Sequence, residues 1–152
     1  MLDTKTRVLV VDDEPLIRTT MSIVLTEIGY SVRSADDGFS ALREIRHEMP
    51  YILLTDLNMP GMSGFELLSV VSRRFPAMHT IAMSGAYSGK EVPYGVIADS
   101  FYEKGKGIKT LLQIIETLPR IKLCAPAPSA DGRQLGIDRP PNYVPVDTTV
   151  RI

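Results

Sequence analysis

The chain has 152 residues, 44% of them hydrophobic and 23% charged, with a net charge of −1. This is enough for one domain with a sizeable core and a remainder, and the near-neutral balance supplies no field to draw the chain to nucleic acid or an anionic membrane. A single cysteine, Cys124, excludes an intramolecular disulfide. No paired Cys/His spacing suggests zinc, and the polar start from Met1 to Arg7 resembles neither a signal peptide nor a membrane span. A cytoplasmic protein with no nucleic-acid or membrane partner is expected.

Arg7-Val8-Leu9-Val10-Val11 is a β-branched run too short for a helix, and it stops at Asp12-Asp13-Glu14-Pro15. It predicts a buried strand ending in carboxylates. Pro15 suits a first helical turn, and Ile17, Met21, Val24, Leu25 and Ile28 recur at helical spacing until Gly29. Ser31 to Ala35 alternates as a second strand, and a second helix buries Ala41, Leu42, Ile45 and Met49 before Pro50.

Tyr51-Ile52-Leu53-Leu54 predicts a third buried strand, which delivers Asp56 to its end just before a turn rich in Pro and Gly. Ser63 and Glu66 form a capping-box pattern for a helix whose stripe is Phe65, Leu68, Val71 and Phe75. A fourth strand, His79 to Met83, ends at Ser84-Gly85. A fifth, Ser100 to Glu103, ends at Lys104, and Ile108, Leu111, Leu112, Ile115 and Leu118 mark a last amphipathic helix. Between them two glycines and a proline disfavour a helix interior, so only a short or broken helix near Pro93 to Ala98 is expected.

From Pro119 the composition changes. Six of the eleven prolines lie from there to the end, residues 125–132 read as an extended linker, and Val144, Val146, Thr148, Val150 and Ile152 alternate with the period of a strand. The expected organisation is a domain over 1–119 and a C-terminal extension over 120–152, a linker followed either by a frayed terminus or by a segment that adds as an edge strand or lies across its own or a neighbouring receiver. Strands and helices alternate throughout the first part, which argues for an α/β fold with a parallel sheet covered by helices on both faces.

Each polar group of interest sits where a strand ends: Asp12 and Asp13, Asp56, Ser84, Lys104. In a parallel sheet these ends share one edge, where ligands bind. Like charges about 4 Å apart repel by roughly 4 kcal/mol at an effective dielectric of 20, so gathered carboxylates need a cation or must take up protons. Mg²⁺ suits such an oxygen site when phosphate oxygens must also enter, with Asp13 and Asp56 supplying carboxylates and Asn58 its backbone carbonyl. Asp56 could then attack a phosphoryl donor in line while Lys104 and the Ser84 hydroxyl stabilise the other phosphoryl oxygens.

These residues give the chain a resemblance to receiver domains of two-component response regulators. It covers about Arg7 to Leu118 and is carried by Asp12-Asp13, by Asp56-Leu57-Asn58-Met59-Pro60-Gly61-Met62-Ser63-Gly64, by Ser84-Gly85, and by Ala98-Asp99-Ser100-Phe101-Tyr102-Glu103-Lys104. The resemblance implies a doubly wound five-stranded sheet of order 2-1-3-4-5. It further implies phosphotransfer to Asp56 from the phosphohistidine of a histidine kinase or phosphotransfer protein, with Asp12 and Asp13 organising Mg²⁺. A switch would couple Ser84 to Phe101 and alter the surface of the fourth helix, fifth strand and fifth helix, a face that could also serve a homodimer or an output protein.

The family usually has Pro after the lysine, often with a cis peptide that aims it; here Gly105 follows Lys104. No helix-turn-helix or second catalytic domain is read after Leu118, so a stand-alone signalling module is expected. Two other α/β readings compete. An aspartyl-nucleophile phosphohydrolase would, by family resemblance, carry Asp where Asn58 stands, and a flavin-binding flavodoxin relative would need a Ser/Thr/Gly-rich phosphate loop after the first strand. His47 and His79 have no convergent ligand partners and read as surface or strand residues.

Overall fold

A computed structural model of the chain describes residues 5–85 and 94–119. The elements are β1 (Arg7–Val11), α1 (Pro15–Ile28), β2 (Ser31–Ala35), α2 (Gly38–His47), β3 (Ile52–Asp56), α3 (Gly64–Arg74), β4 (His79–Ser84), β5 (Ser100–Glu103) and α4 (Ile108–Thr117). The five strands form one sheet in the order β2-β1-β3-β4-β5, every neighbouring pair parallel. This is the doubly wound arrangement that alternating strands and helices predict.

Strand periodicity divides the core into two layers. Leu9 and Val11 of β1, Leu53 of β3 and Ala82 of β4 face one way, packing with Ala41 and Ile45 of α2 and Leu67, Leu68 and Val71 of α3. Val8, Val10, Ile52, Leu54, Ile81 and Met83 face the other way, toward Met21 and Leu25 of α1 and Leu111 and Ile115 of α4. Because both faces are covered, β1 and β3 carry continuous apolar runs, Val8 to Val11 and Ile52 to Leu54, rather than alternating ones, and every residue of β4 is buried. Each fully buried Leu or Val side chain contributes about 1.5–3 kcal/mol, so the layers locate the sheet firmly between its helices.

Local signals set the helix ends. Pro15 opens α1, and Gly29, at φ +121°, closes it by donating its N–H to the Leu25 and Thr26 carbonyls. The Asp37 carboxylate accepts from the Ser40 N–H at 2.7 Å to cap α2, and the Ser63 hydroxyl accepts from the Glu66 N–H at 3.3 Å to cap α3. The second helix ends earlier than its apolar pattern suggests. It stops at His47, and Met49 is exposed, because a residue that precedes proline is pushed out of helical conformation. Ile28, counted in the stripe of α1, is also exposed on the last turn.

The helix expected near Pro93 to Ala98 is not present in its described part, 94–98. Tyr94 and Gly95 form a turn, with Gly95 at φ +85°, and the chain then runs irregularly into β5. Asp99 fixes that entry: its carboxylate accepts from the Thr80 N–H at 2.8 Å, and its own N–H is donated to the Thr80 carbonyl at 3.0 Å. The last helix is therefore the fourth among the described residues. Pro93, where that helix was expected to begin, the linker at 125–132 and the strand at 144–152 lie outside the described residues.

Candidate functional site

The strand register levels the chemistry-bearing residues at one edge. Val11 pairs with Thr55, Asp56 with Met83, and Ser84 with Glu103. Backbone bonds continue just beyond the strands: Asp12 N–H to the Ala35 carbonyl at 3.2 Å, Leu57 N–H to Met83 at 3.0 Å, and Lys104 N–H to Ser84 at 3.0 Å. Asp12, Asp56, Ser84 and Lys104 are thus held by the sheet itself rather than by free loops. That rigidity suits a site whose groups must keep fixed distances.

Carboxylate oxygens of Asp12, Asp13 and Asp56 all lie within 4.8 Å of one another. Asp12 is fully buried and Asp56 nearly so, whereas Asp13 is exposed. Lys104 Nζ stands 2.8 Å from Asp12 Oδ2 and 3.2 Å from Asp56 Oδ1, bridging the two buried carboxylates. Burial pushes the Asp56 carboxyl above its ordinary value; the Lys104 charge opposes this and the Asp12 charge adds to it, while the Asn58 N–H favours the ionised form. Burial acts to lower the Lys104 ammonium, but its hydrogen bond to Asp12 and the Asp56 and Asp12 charges outweigh that and hold it above the usual lysine range.

Other contacts shape the turns around these groups. The Glu14 N–H donates to Asp12 Oδ1 at 2.9 Å, and the Arg18 guanidinium donates to the Asp12 carbonyl at 2.7 Å. Gly64 is required by close approach: a β-carbon there would fall on the Asp56 carbonyl and lie 2.6 Å from Leu57 Cα. The start of α3 therefore packs directly onto the end of β3, and Gly64 N–H bonds the Leu57 carbonyl at 3.0 Å. Gly105 takes φ +95° with no cis peptide among the described residues, and Lys104 reaches both carboxylates from that trans turn.

The residues expected from sequence meet as follows. Asp12, Asp13, Asp56 and Lys104 form one cluster. Ser84 is fully buried at the end of β4, one strand from Asp56, and Phe101 is buried in the core layer that also holds Ala82 and Leu57. Asn58 is exposed in the turn after β3. His79 lies at the opposite end of β4, buried with its ring 4.8 Å from that of Tyr51, and takes no part in the cluster. Arg18 was not legible as part of the site, since in sequence it is one polar residue of an amphipathic helix.

The chemistry open to this arrangement follows from its donors. Three carboxylates offer only oxygen ligands, which fits a hard divalent cation and not a soft one. A buried carboxylate beside a fixed ammonium can meet an incoming anionic group without first gathering its counter-charge from solvent. The family model for the response regulator receiver domain matches residues 8–118, which include every one of these groups.

The chain belongs to the response regulator receiver domain family.

A transcriptional regulatory protein of Bacillus subtilis, YesN, is 35% identical over 97 residues, which are 59% of this chain and 26% of YesN. The receiver thus spans about a quarter of the length of that relative. The solved structure of the response regulator TrrA from Thermotoga maritima in complex with Mg²⁺-BeF is similar with a TM-score of 0.67 at 28% identity, over 73% of this chain and 96% of TrrA. TrrA bound to the histidine kinase ThkA gives the same TM-score at 29% identity, again over 73% of this chain and 96% of TrrA. No described helix of the receiver is long and apolar enough to cross a membrane.

Proposed function

We propose that this receiver accepts a phosphoryl group on Asp56 from the phosphohistidine of a histidine kinase or phosphotransfer protein, in a Mg²⁺-dependent reaction, and signals by changing a protein-contact surface. The observation that carries the reading is the cluster itself: Asp56 and Asp12 bridged by Lys104 Nζ, with Asp13 beside them. The TrrA complexes with Mg²⁺-BeF and with a histidine kinase support it by likeness. Its setting would be the cytoplasm, and its domain would end at Pro119.

An Asp56 carboxylate oxygen forms the new O–P bond as the N–P bond of the donor breaks, and the leaving imidazole nitrogen keeps the electron pair. Lys104 neutralises charge on the transferring oxygens, and the Ser84 hydroxyl donates to another of them. Asp12, Asp13, Asp56 and the Asn58 carbonyl would hold Mg²⁺, which offsets the repulsion between the carboxylate cluster and the incoming phosphoryl group. A phosphoryl group drawing Ser84 toward it would open space for Phe101 to move, and the surface around β5 and α4 would change for an output protein or a second copy.

Incubation of the wild-type chain with a small phosphodonor and Mg²⁺ should yield an acid-stable, alkali-labile phosphate. Chelation of Mg²⁺ should suppress it, and Asp56→Ala should abolish it. Equal labelling of wild type and Asp56→Ala would remove Asp56 from the reaction.

A further inference from the structure

Asp13 is the exposed member of the carboxylate cluster, and its carboxylate has no hydrogen-bond or ion-pair partner among the described residues. Its position is therefore set by the backbone on either side of it. That backbone is tied at two points. The Glu14 N–H is bound to Asp12 Oδ1 at 2.9 Å, and the Asp12 carbonyl receives the Arg18 guanidinium at 2.7 Å. The second tie matters more for Asp13, because the Asp12 carbonyl belongs to the planar peptide that joins the two aspartates. Holding its oxygen fixes the orientation of that plane, and with it the Asp13 N–H and Cα.

Arg18 is well placed to act as a fixed post. It lies in the first turns of α1, where its own N–H bonds the Glu14 carbonyl at 3.0 Å, and it is only half-buried. Asp12 O follows the last residue of β1, so without Arg18 this carbonyl would have to find water. The bond does more than satisfy an acceptor, since it links the helix to the peptide from which the cluster's loosest ligand projects.

We infer that Arg18 is a positioning residue for the cation site, acting through the Asp12 carbonyl to hold the Asp13 carboxylate where a divalent cation can use it. This rests on the reading that Asp12, Asp13 and Asp56 bind Mg²⁺. The sign of the effect separates positioning from charge. Arg18 is a cation near an anionic site, so as a charge alone it would weaken Mg²⁺ binding, and its removal would strengthen it. As a positioning group, its removal weakens binding, by about tenfold on the scale of outer ligand-orienting contacts.

The test is calorimetric titration of Mg²⁺ alone into the full chain, with thermal unfolding measured in chelator. Arg18→Met keeps an unbranched stem of good helix propensity but has no donor, and should lose about tenfold in Mg²⁺ affinity with an unfolding midpoint in chelator close to wild type. Arg18→Ala should show the same loss, and serves where the Met variant does not fold. Arg18→Lys, which keeps a donor for the single bond observed, should recover most of the affinity. Binding that is unchanged or tighter in Arg18→Met and Arg18→Ala, while Asp13→Asn abolishes it, overturns the positioning role alone. An equal loss of affinity in Arg18→Lys overturns it too. Absence of Mg²⁺ binding by wild type overturns the metal reading and the positioning role together.

Discussion

Asp56 is 5% exposed and has Asp12 as a carboxylate neighbour, so its negative charge is disfavoured in the folded chain despite Lys104. Its native carboxyl is raised above 3.8, and a raised native value means that the folded state holds the proton more tightly than the unfolded one. The stability this contributes is fully present below pH 3.8 and is lost as pH rises through the native value. At neutral pH in chelator Asp56 is therefore a cost, and Asp56→Asn should raise the thermal unfolding midpoint. Scans below pH 3.8 should bring the two chains together. Stability lost at a site in this way is the usual companion of function there. The sequence made Asp12, Asp13, Asp56 and Lys104 legible because each follows an apolar run and strand ends share an edge. Arg18 was not legible, since only a folded helix shows which polar residue reaches the neighbouring turn.

At the scale of elements, two glycines carry the geometry of the site. Gly64→Ala would drive a β-carbon into the Asp56 carbonyl, a backbone atom that cannot swing aside, and should cost about 3 kcal/mol in urea unfolding. Gly105→Ala meets open space but must hold φ +95°, so strain alone should cost about 1–2 kcal/mol and loosen the turn that presents Lys104. If Gly105→Ala unfolds at the wild-type urea midpoint, the left-handed turn does not constrain Lys104. Proline, which fixes φ near −65°, cannot take this conformation, so the Lys104-Gly105 pair is a different solution from the family's usual lysine-proline and not a relaxed version of it. Helix stripes on α3 and α4 were readable from their periods. The ends of α2 and the irregular path over 94–98 were not, because Pro50 acts on residues before it and the Asp99–Thr80 tie joins segments 19 residues apart.

At the scale of the molecule, the sheet order followed from alternating strands and helices, while the register that levels Asp56, Ser84 and Lys104 emerged only from the pairing of whole strands. The Tyr51 hydroxyl donates to the Pro119 carbonyl at 2.6 Å, tying the end of the last helical segment to the start of β3. We propose Pro119 as the receiver's boundary. A chain truncated after Pro119 should unfold cooperatively within a few degrees of the full chain, and loss of the thermal transition on truncation would make 120–152 part of the folded unit. The central claim, that Asp56 is the phosphoryl acceptor, is reached most directly by chemical trapping. After reaction with a small phosphodonor and Mg²⁺, borohydride reduction converts an aspartyl phosphate to homoserine, and peptide sequencing by mass spectrometry reads its position. Homoserine is expected at position 56 and nowhere else; homoserine at another aspartate with position 56 intact would show that Asp56 is not the acceptor.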